Sequence, residues 1–514
     1  MKALIPVVAL LAVCAAMPAA QAAQPVTAEY SATVATNVSS GALAPYFIGS
    51  LNNGRFTRKS SAIADFGARV ALDTARRFSW GAGVEFAGGY GHGTRYERWL
   101  PDAAVWTTHT NKAPAIWVQQ LYGEIKYRGV FLRAGMKDPR SYLLDETLSS
   151  GDLTRSANAR GIPGVEVGFI DFQNIPFTRG WVQIQGVIEY GKMTDDGFNH
   201  SQFNYYNGQL TGNIYYTYKR CYFRTRPSER FSVTLGMQAT GVFGGWWKTY
   251  RRGEVTAQVN RGFKFRDVID MFFPRQGTGS DGFYEGNSLG SWDFKARYRL
   301  NDGSELSFVF EWPWEDGSGI GRRNGFDGLW GLYYHSAAPA LISGVGIEYL
   351  DFRNQSGAIH WAPGDTSSPT LTDEISGADD YYNNASYGAF ANYGMSIGTP
   401  FLKSPAYNFN GAPYYMHNRA RGVHLAVKGC FGADWDYNLR YSWQQAWGSG
   451  LIHLPYSMTD NSVMAMARWR ADSLLKGLRI SATVAVDAGR LRGNNTGFLL
   501  GVTYTGALTF NKNK

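Results

Sequence analysis

The chain has 514 residues, a formal net charge of +9, 15% aromatic residues and 61 glycines. After the N-terminal leader there is no run of roughly 18 apolar residues, so membrane-spanning helices are excluded. Arginines are dispersed rather than clustered, so nucleic acid is not an expected partner, while anionic lipid headgroups and acidic glycans remain open.

Met1-Lys2 precedes an uncharged stretch from Ala3 to Met17, and Ala20-Gln21-Ala22 supplies a small-x-small cleavage pattern. A secretory signal peptide is expected over 1–23, followed by a single domain over 24–514. Cys14 after Leu11-Ala12-Val13 hints at a lipoprotein box, but Val13 is large for its place there. Losing Lys2 with the leader leaves a mature charge of +8. Cys221 and Cys430 then remain, too few for a disulfide framework. Cys430 shares the parity of His424, Ala426 and Lys428, which places it on an inward face.

Alternation of bulky apolar with small or polar residues, the signature of strands, begins near 28–36 and continues at 62–73, 79–87, 116–127, 130–136, 164–172 and 181–190. It recurs at 213–224, 231–240, 292–300 and 305–312, where Asn301-Asp302-Gly303-Ser304 supplies strong turn chemistry. Further strands fall at 328–334, 342–352, 422–431, 435–445, 462–470, 478–487 and 496–510, giving eighteen. Residues 241–290 form a large insertion, with Phe265, Ile269 and Phe272 at the spacing of one short helix, and 353–421 is the longest loop.

Alternation alone fits a soluble sandwich as well as a barrel. Loop length separates them. Odd-numbered connections are long (37–61, 88–115, 137–163, 191–212, 241–290, 313–327, 353–421, 446–461, 488–495), and even-numbered ones, such as 74–78, 128–129 and 432–434, are short. An outer-membrane barrel needs that sorting, with short turns periplasmic and long loops outside. Asp293, Lys295, Arg297 and Arg299 share one strand face whose opposite face is apolar throughout, which suits a hydrated lumen. The expected fold is all-β: a transmembrane antiparallel barrel of eighteen strands, both termini periplasmic, resident in the bacterial outer membrane.

Two Gly-x-Ser-x-Gly strings, 286–290 and 394–398, match a nucleophile elbow, but no helical pattern follows Ser288 or Ser396. The eight histidines lack metal-ligand spacing, and Asp373, Glu374, Asp379 and Asp380 form an acidic loop cluster without calcium-loop spacing. No catalytic residue, metal or cofactor is expected. The loops instead bring aromatic faces beside carboxylates and amides, a combination that suits sugars. The candidate glycan contacts are Trp312, Trp314, Glu315, Asp316, Trp361, Asp365, Asp379, Asp380, Tyr381, Tyr382 and Asn383. Packing within the loops or an aromatic girdle explains the same residues without any ligand.

At these loops the sequence resembles the capsule assembly Wzi family of outer-membrane proteins in its Bacteroidetes-type form. The resemblance rests on WVQQLYGEIKYRGVFLRAGMKDP (117–139), FTRGWVQIQG (177–186), GNSLGSWDFKARY (286–298), PWEDGSGIG (313–321), EYLDFRNQSGAIHWAPGD (348–365), GADDYYNN (377–384) and YGMSIGTPFL (393–402). It implies an eighteen-stranded barrel without enzymatic activity that retains or organises capsular or exopolysaccharide at the cell surface, in the manner of a lectin. The better-studied branch carries a periplasmic helical bundle, which here would have to come from 37–61 or be absent. Expected partners are the polysaccharide, outer-membrane lipids and, during biogenesis, the barrel-assembly machinery; the protein is expected to be a monomer. Two alternatives remain: a diffusion channel whose lumen arginines favour anions, and a hydrolase using Ser288 or Ser396.

Overall fold

The computed structural model describes residues 26–226, 228–272, 286–315, 324–356, 360–361, 375–376 and 379–510. The expected signal peptide lies outside the described residues. Eighteen strands form the wall. The first nine are β1 (Val26–Ser39), β2 (Ser61–Val70), β3 (Phe78–Gly91), β4 (Ile116–Tyr127), β5 (Val130–Met136), β6 (Gly164–Phe169), β7 (Val182–Met193), β8 (Ile214–Thr225) and β9 (Phe231–Phe243). The second nine are β10 (Asn287–Arg299), β11 (Glu305–Glu315), β12 (Gly328–His335), β13 (Gly344–Asp351), β14 (Ala420–Phe431), β15 (Trp435–Gly448), β16 (His453–Arg470), β17 (Leu478–Gly489) and β18 (Asn495–Phe510). A two-residue bridge, Gln173–Asn174, continues the line of β6 beyond a break.

Each strand pairs antiparallel with its successor, and β1 closes on β18 from Val26↔Phe510 to Ser39↔Gly497. Closure removes both sheet edges, so the backbone groups of the paired wall find partners without water. The burial pattern is inside-out. On β18, Phe498, Leu500, Val502, Leu508 and Phe510 are exposed. On the inward parity of the wall, Gln185, Glu311, Glu348 and His424 are fully buried. An apolar exterior around a polar interior is stable in lipid and not in water.

All eighteen expected strands are present, with shifted ends. β16 starts at His453 rather than near 462, so the loop expected over 446–461 shrinks to 449–452. Pro455 reads as a strand breaker, but it sits where β16 has no neighbour on the β17 side, since pairing with β17 begins at Asp460. The stretch 88–115 holds a hairpin, Thr94–Leu100 with Val105–Asn111. The insertion after β9 holds a second hairpin, Gly245–Arg251 with Glu254–Gly262, joined by Gly208–Gly212 into a three-stranded sheet. The expected short helix follows, Phe265–Phe272. Cys221 faces outward from β8, Cys430 is half-buried on the inward parity, and both are free thiols.

Three segments from the long-loop rim fold into the lumen. Residues 137–163 cross from β5 to the far wall. There the Ser150 and Leu153 amides donate to Glu348 (2.9 Å) and Glu311 (2.9 Å), and Lys295 and Asn438 donate to the carbonyls of Leu143 (2.7 Å) and Thr147 (2.8 Å). Residues 396–403 lie on this plug. Asn158 donates to the Ser396 carbonyl (2.9 Å), Thr399 to that of Ser150 (3.0 Å), and Arg492 to that of Pro400 (3.0 Å). Residues 40–60 complete it: the Tyr46 amide donates to Asp487 (3.0 Å) and the Asn53 amide to the Ala157 carbonyl (2.7 Å). This last segment holds a one-turn helix, Tyr46–Gly49, and no helical bundle. Beneath the plug, toward the short turns, a vestibule of about 1320 Å³ is left open.

Candidate functional site

The plug ties down the loops above it, and the segment 379–389 is the element they are arranged around. Its side chains divide three ways. Tyr381 and Tyr382 point into the loop core and are almost fully buried. The Tyr381 hydroxyl donates to Asp327 (3.0 Å) and accepts from Asn324 (3.0 Å); the Tyr382 hydroxyl donates to the Leu153 carbonyl of the plug. Asp379 faces one side, and Asp380 and Asn383 face the other.

Each side is a cleft. The first, about 620 Å³, is lined by Asp327, Asp351, Arg353, Asp379, Arg419 and His453. Arg353 forks onto the Asp351 carboxylate with contacts of 2.8 and 2.6 Å, and Arg419 donates to the Arg353 carbonyl (3.1 Å). The second, about 320 Å³, is lined by Gln209, Asp380, Asn383, Asn384, Tyr387 and Tyr414. Tyr414 is held by a hydroxyl–hydroxyl contact with Tyr206 (2.7 Å). Asp380 accepts from Asn418 (2.7 Å) and from the Gly450 amide (3.1 Å). Burial pushes its carboxyl above the usual value, while those hydrogen bonds favour the charged form. Carboxylate, amide and phenol groups around an aromatic wall can take sugar hydroxyls and pack a ring face.

The sequence-derived residues separate accordingly. Asp379, Asp380 and Asn383 line the clefts. Tyr381 and Tyr382 are struts between the clefts and the plug. Trp314 is buried over Gly290, where a Cβ would meet its ring at 2.5 Å, and Glu315 accepts the Tyr382 amide (2.6 Å). Trp312 lies on the outward parity of β11, half-buried, beside Phe310 and bonded to Asn324 (2.7 Å). Asp316, Asp365 and the Trp361 side chain lie outside the described residues. Arg353, Arg419, His453, Gln209 and Tyr414 were missed: Arg353, Tyr414 and Arg419 are spread along the one long β13–β14 loop, Gln209 comes from the β7–β8 loop and His453 from the start of β16, and nothing in local sequence joins them. Asp351 and Arg353, two apart within EYLDFRNQ, were the one local signal.

Ser288 is on β10 and donates to the Thr240 carbonyl (3.1 Å) in the wall; Ser396 is buried on the plug. No α-helix follows either string. Among the described residues no three His, Cys, Asp or Glu side chains converge as a metal site.

No family model and no curated protein matches the chain. Solved structures do. Escherichia coli Wzi, described as an outer-membrane carbohydrate-binding β-barrel involved in group 1 capsule assembly, aligns with a TM-score of 0.55 at 13% identity, covering 92% of this chain and 83% of that one. Pseudomonas aeruginosa OccD3 (OpdP) aligns with a TM-score of 0.43 at 8% identity, over 95% of both chains. Acinetobacter baumannii OccAB3 gives 0.43 at 10%, over 94% and 99%. What the chain shares with Wzi is the fold, a closed eighteen-strand antiparallel barrel of the outer-membrane type.

Proposed function

We propose that this barrel resides in the outer membrane and retains or organises an extracellular polysaccharide, as a non-enzymatic, lectin-like protein of the Wzi type. The observation that carries this reading is the occupied long-loop mouth. Its described loops cross the lumen and hydrogen-bond to wall and plug, and they frame a pair of polar and aromatic clefts about the segment 379–389. A passage for small solutes needs the opposite, a continuous wet path. The short turns and both termini then face the periplasm, because an even number of strands brings the chain back to the rim where it began. Many weak contacts along one polymer add by multivalency, so each cleft needs only modest affinity.

The test is the polysaccharide of cells lacking the gene, separated into cell-bound and shed fractions. Unchanged total with a shift to the shed fraction is expected. Asp380→Ala combined with Asn383→Ala should reproduce part of that shift while the barrel still assembles. Unchanged fractions in the deletion would overturn the reading.

A further inference from the structure

Arg58 and Arg160 stand apart from the other arginines of the plug. Arg55, nearby, is satisfied by carboxylates: it contacts Asp65 (3.8 Å), Asp138 (3.0 Å) and Glu85. Arg58 and Arg160 are each nine-tenths buried, and among the described residues neither forms an ion pair. Arg58 donates to Asn111 (2.8 Å) and to the Thr94 hydroxyl, both neutral. Arg160 lies between two rings, its guanidinium carbon 4.6 Å from the Trp117 centroid and 4.5 Å from that of Tyr393, and its Nε has no partner. Buried cations are ordinarily paired, because desolvation is costly without a counter-charge. Burial lowers Arg58 to about 10, and the charge of Arg160 acts in the same direction.

Both line one small cavity of about 40 Å³ below the long-loop rim, framed by Gly54, Gly91, Trp117 and Tyr393. Two glycines keep it open beside the arginines: a Cβ at Gly54 would meet Cγ of Arg160 at 3.0 Å, and one at Gly91 would meet Cγ of Arg58 at 3.2 Å. One water centre needs roughly 10–15 Å³ of such space, so the cavity takes a group of about three heavy atoms. That is the size of a carboxylate.

We propose that Arg58 and Arg160 form a subsite for the carboxylate of an acidic sugar residue, the ring remaining at the rim. This rests on the polysaccharide reading, and it adds that the polymer is anionic. The acid supplies the direct ion-pair partner that neither guanidinium has among the described residues, Asp196 reaching Arg160 only from behind Tyr393, in charge-assisted hydrogen bonds.

The test uses the full chain in detergent, titrated calorimetrically with trigalacturonate, with its methyl ester and with sodium sulfate. The acid should bind at least about ten-fold tighter than the ester, and Arg58→Gln or Arg160→Gln should each abolish that preference. Arg160→Lys, which keeps the charge, should retain part of it and guards against loss of fold. Equal affinity for acid and ester would overturn the subsite while leaving polysaccharide retention standing. Sulfate binding as tight as trigalacturonate would make this a small-anion site and overturn the sugar assignment. Binding of neither saccharide, in a protein whose deletion still sheds polymer, would overturn the subsite alone. Acid-selective binding through both arginines without any shedding phenotype would support the subsite and remove the retention reading.

Discussion

The two halves of the lumen use the same residue types differently. In the plugged half, inward-facing acids of the wall accept backbone amides: Glu348 holds Ser150 and Glu311 holds Leu153, all fully or nearly fully buried. In the vestibule half, inward acids and bases pair with one another across neighbouring strands. Arg133 bridges Glu124 (2.9 Å) and Glu166 (3.1 Å), Lys137 joins Glu124 (3.2 Å), and Arg155 meets Glu189 (2.6 Å) at the underside of the plug. Alternation puts both sets on the inner face. What a carboxylate does there depends on its height in the barrel, because a loop reaches one half and the other is left open.

Breaking the plug should give the largest effect. Replacing residues 143–162 with a flexible Gly/Ser linker leaves all eighteen strand pairings in place. Planar-bilayer recordings should then change from no steps to stable conductance steps; persistent closure would mean that 40–60 and 379–419 seal the mouth by themselves. Next is Glu348→Ala, which strips the acceptor from the Ser150 amide, the Ser150 hydroxyl and the Tyr333 hydroxyl. Each orphaned buried donor costs about 1–3 kcal/mol, so urea unfolding should shift by several kcal/mol. A shift no larger than that of a vestibule variant would erase the distinction between the halves.

The wall was legible because period-two alternation and turn chemistry are local. Phe498, Leu500 and Val502 announce their face wherever they fold, and Asn301 to Ser304 announce their turn. The helix at Phe265–Phe272 was legible for the same reason. The clefts were not, because Arg353, Arg419 and His453 in one, and Gln209 and Tyr414 in the other, meet only through loop packing. Tyr381 and Tyr382 misled in an instructive way. Aromatics beside acids read as a sugar platform, but a loop of this length needs its own core, and these two rings serve it. The plug gave no local sign either: residues 141–163 carry Ser, Asn, Asp and Gly like any surface loop, and their partners are acids on distant strands.

Two smaller effects sharpen the contrast. Lys403 sits above the plug, donating to the Leu491 carbonyl (2.8 Å) beside Arg492, and burial lowers it from 10.5 to about 7. Between those values the unfolded chain binds a proton that the folded one does not, so stability rises with pH from about 7 to about 10.5 and is flat below. Lys403→Met should remove that rise, which linkage puts on the order of a few kcal/mol; urea midpoints across pH 6–11 would read it, and an unchanged slope would place the lysine in water. Arg133→Ala should do least. Glu124 keeps Lys137, Glu166 stays near Arg155, and the vestibule lets water solvate what is lost. About 1–2 kcal/mol is expected, because Glu124 and Glu166 are only 6% and 9% exposed but each keeps a second cation beside the open vestibule. A loss matching that of Glu348→Ala would mean that the vestibule charges are packed rather than hydrated, and that the plugged half has no special claim on the fold.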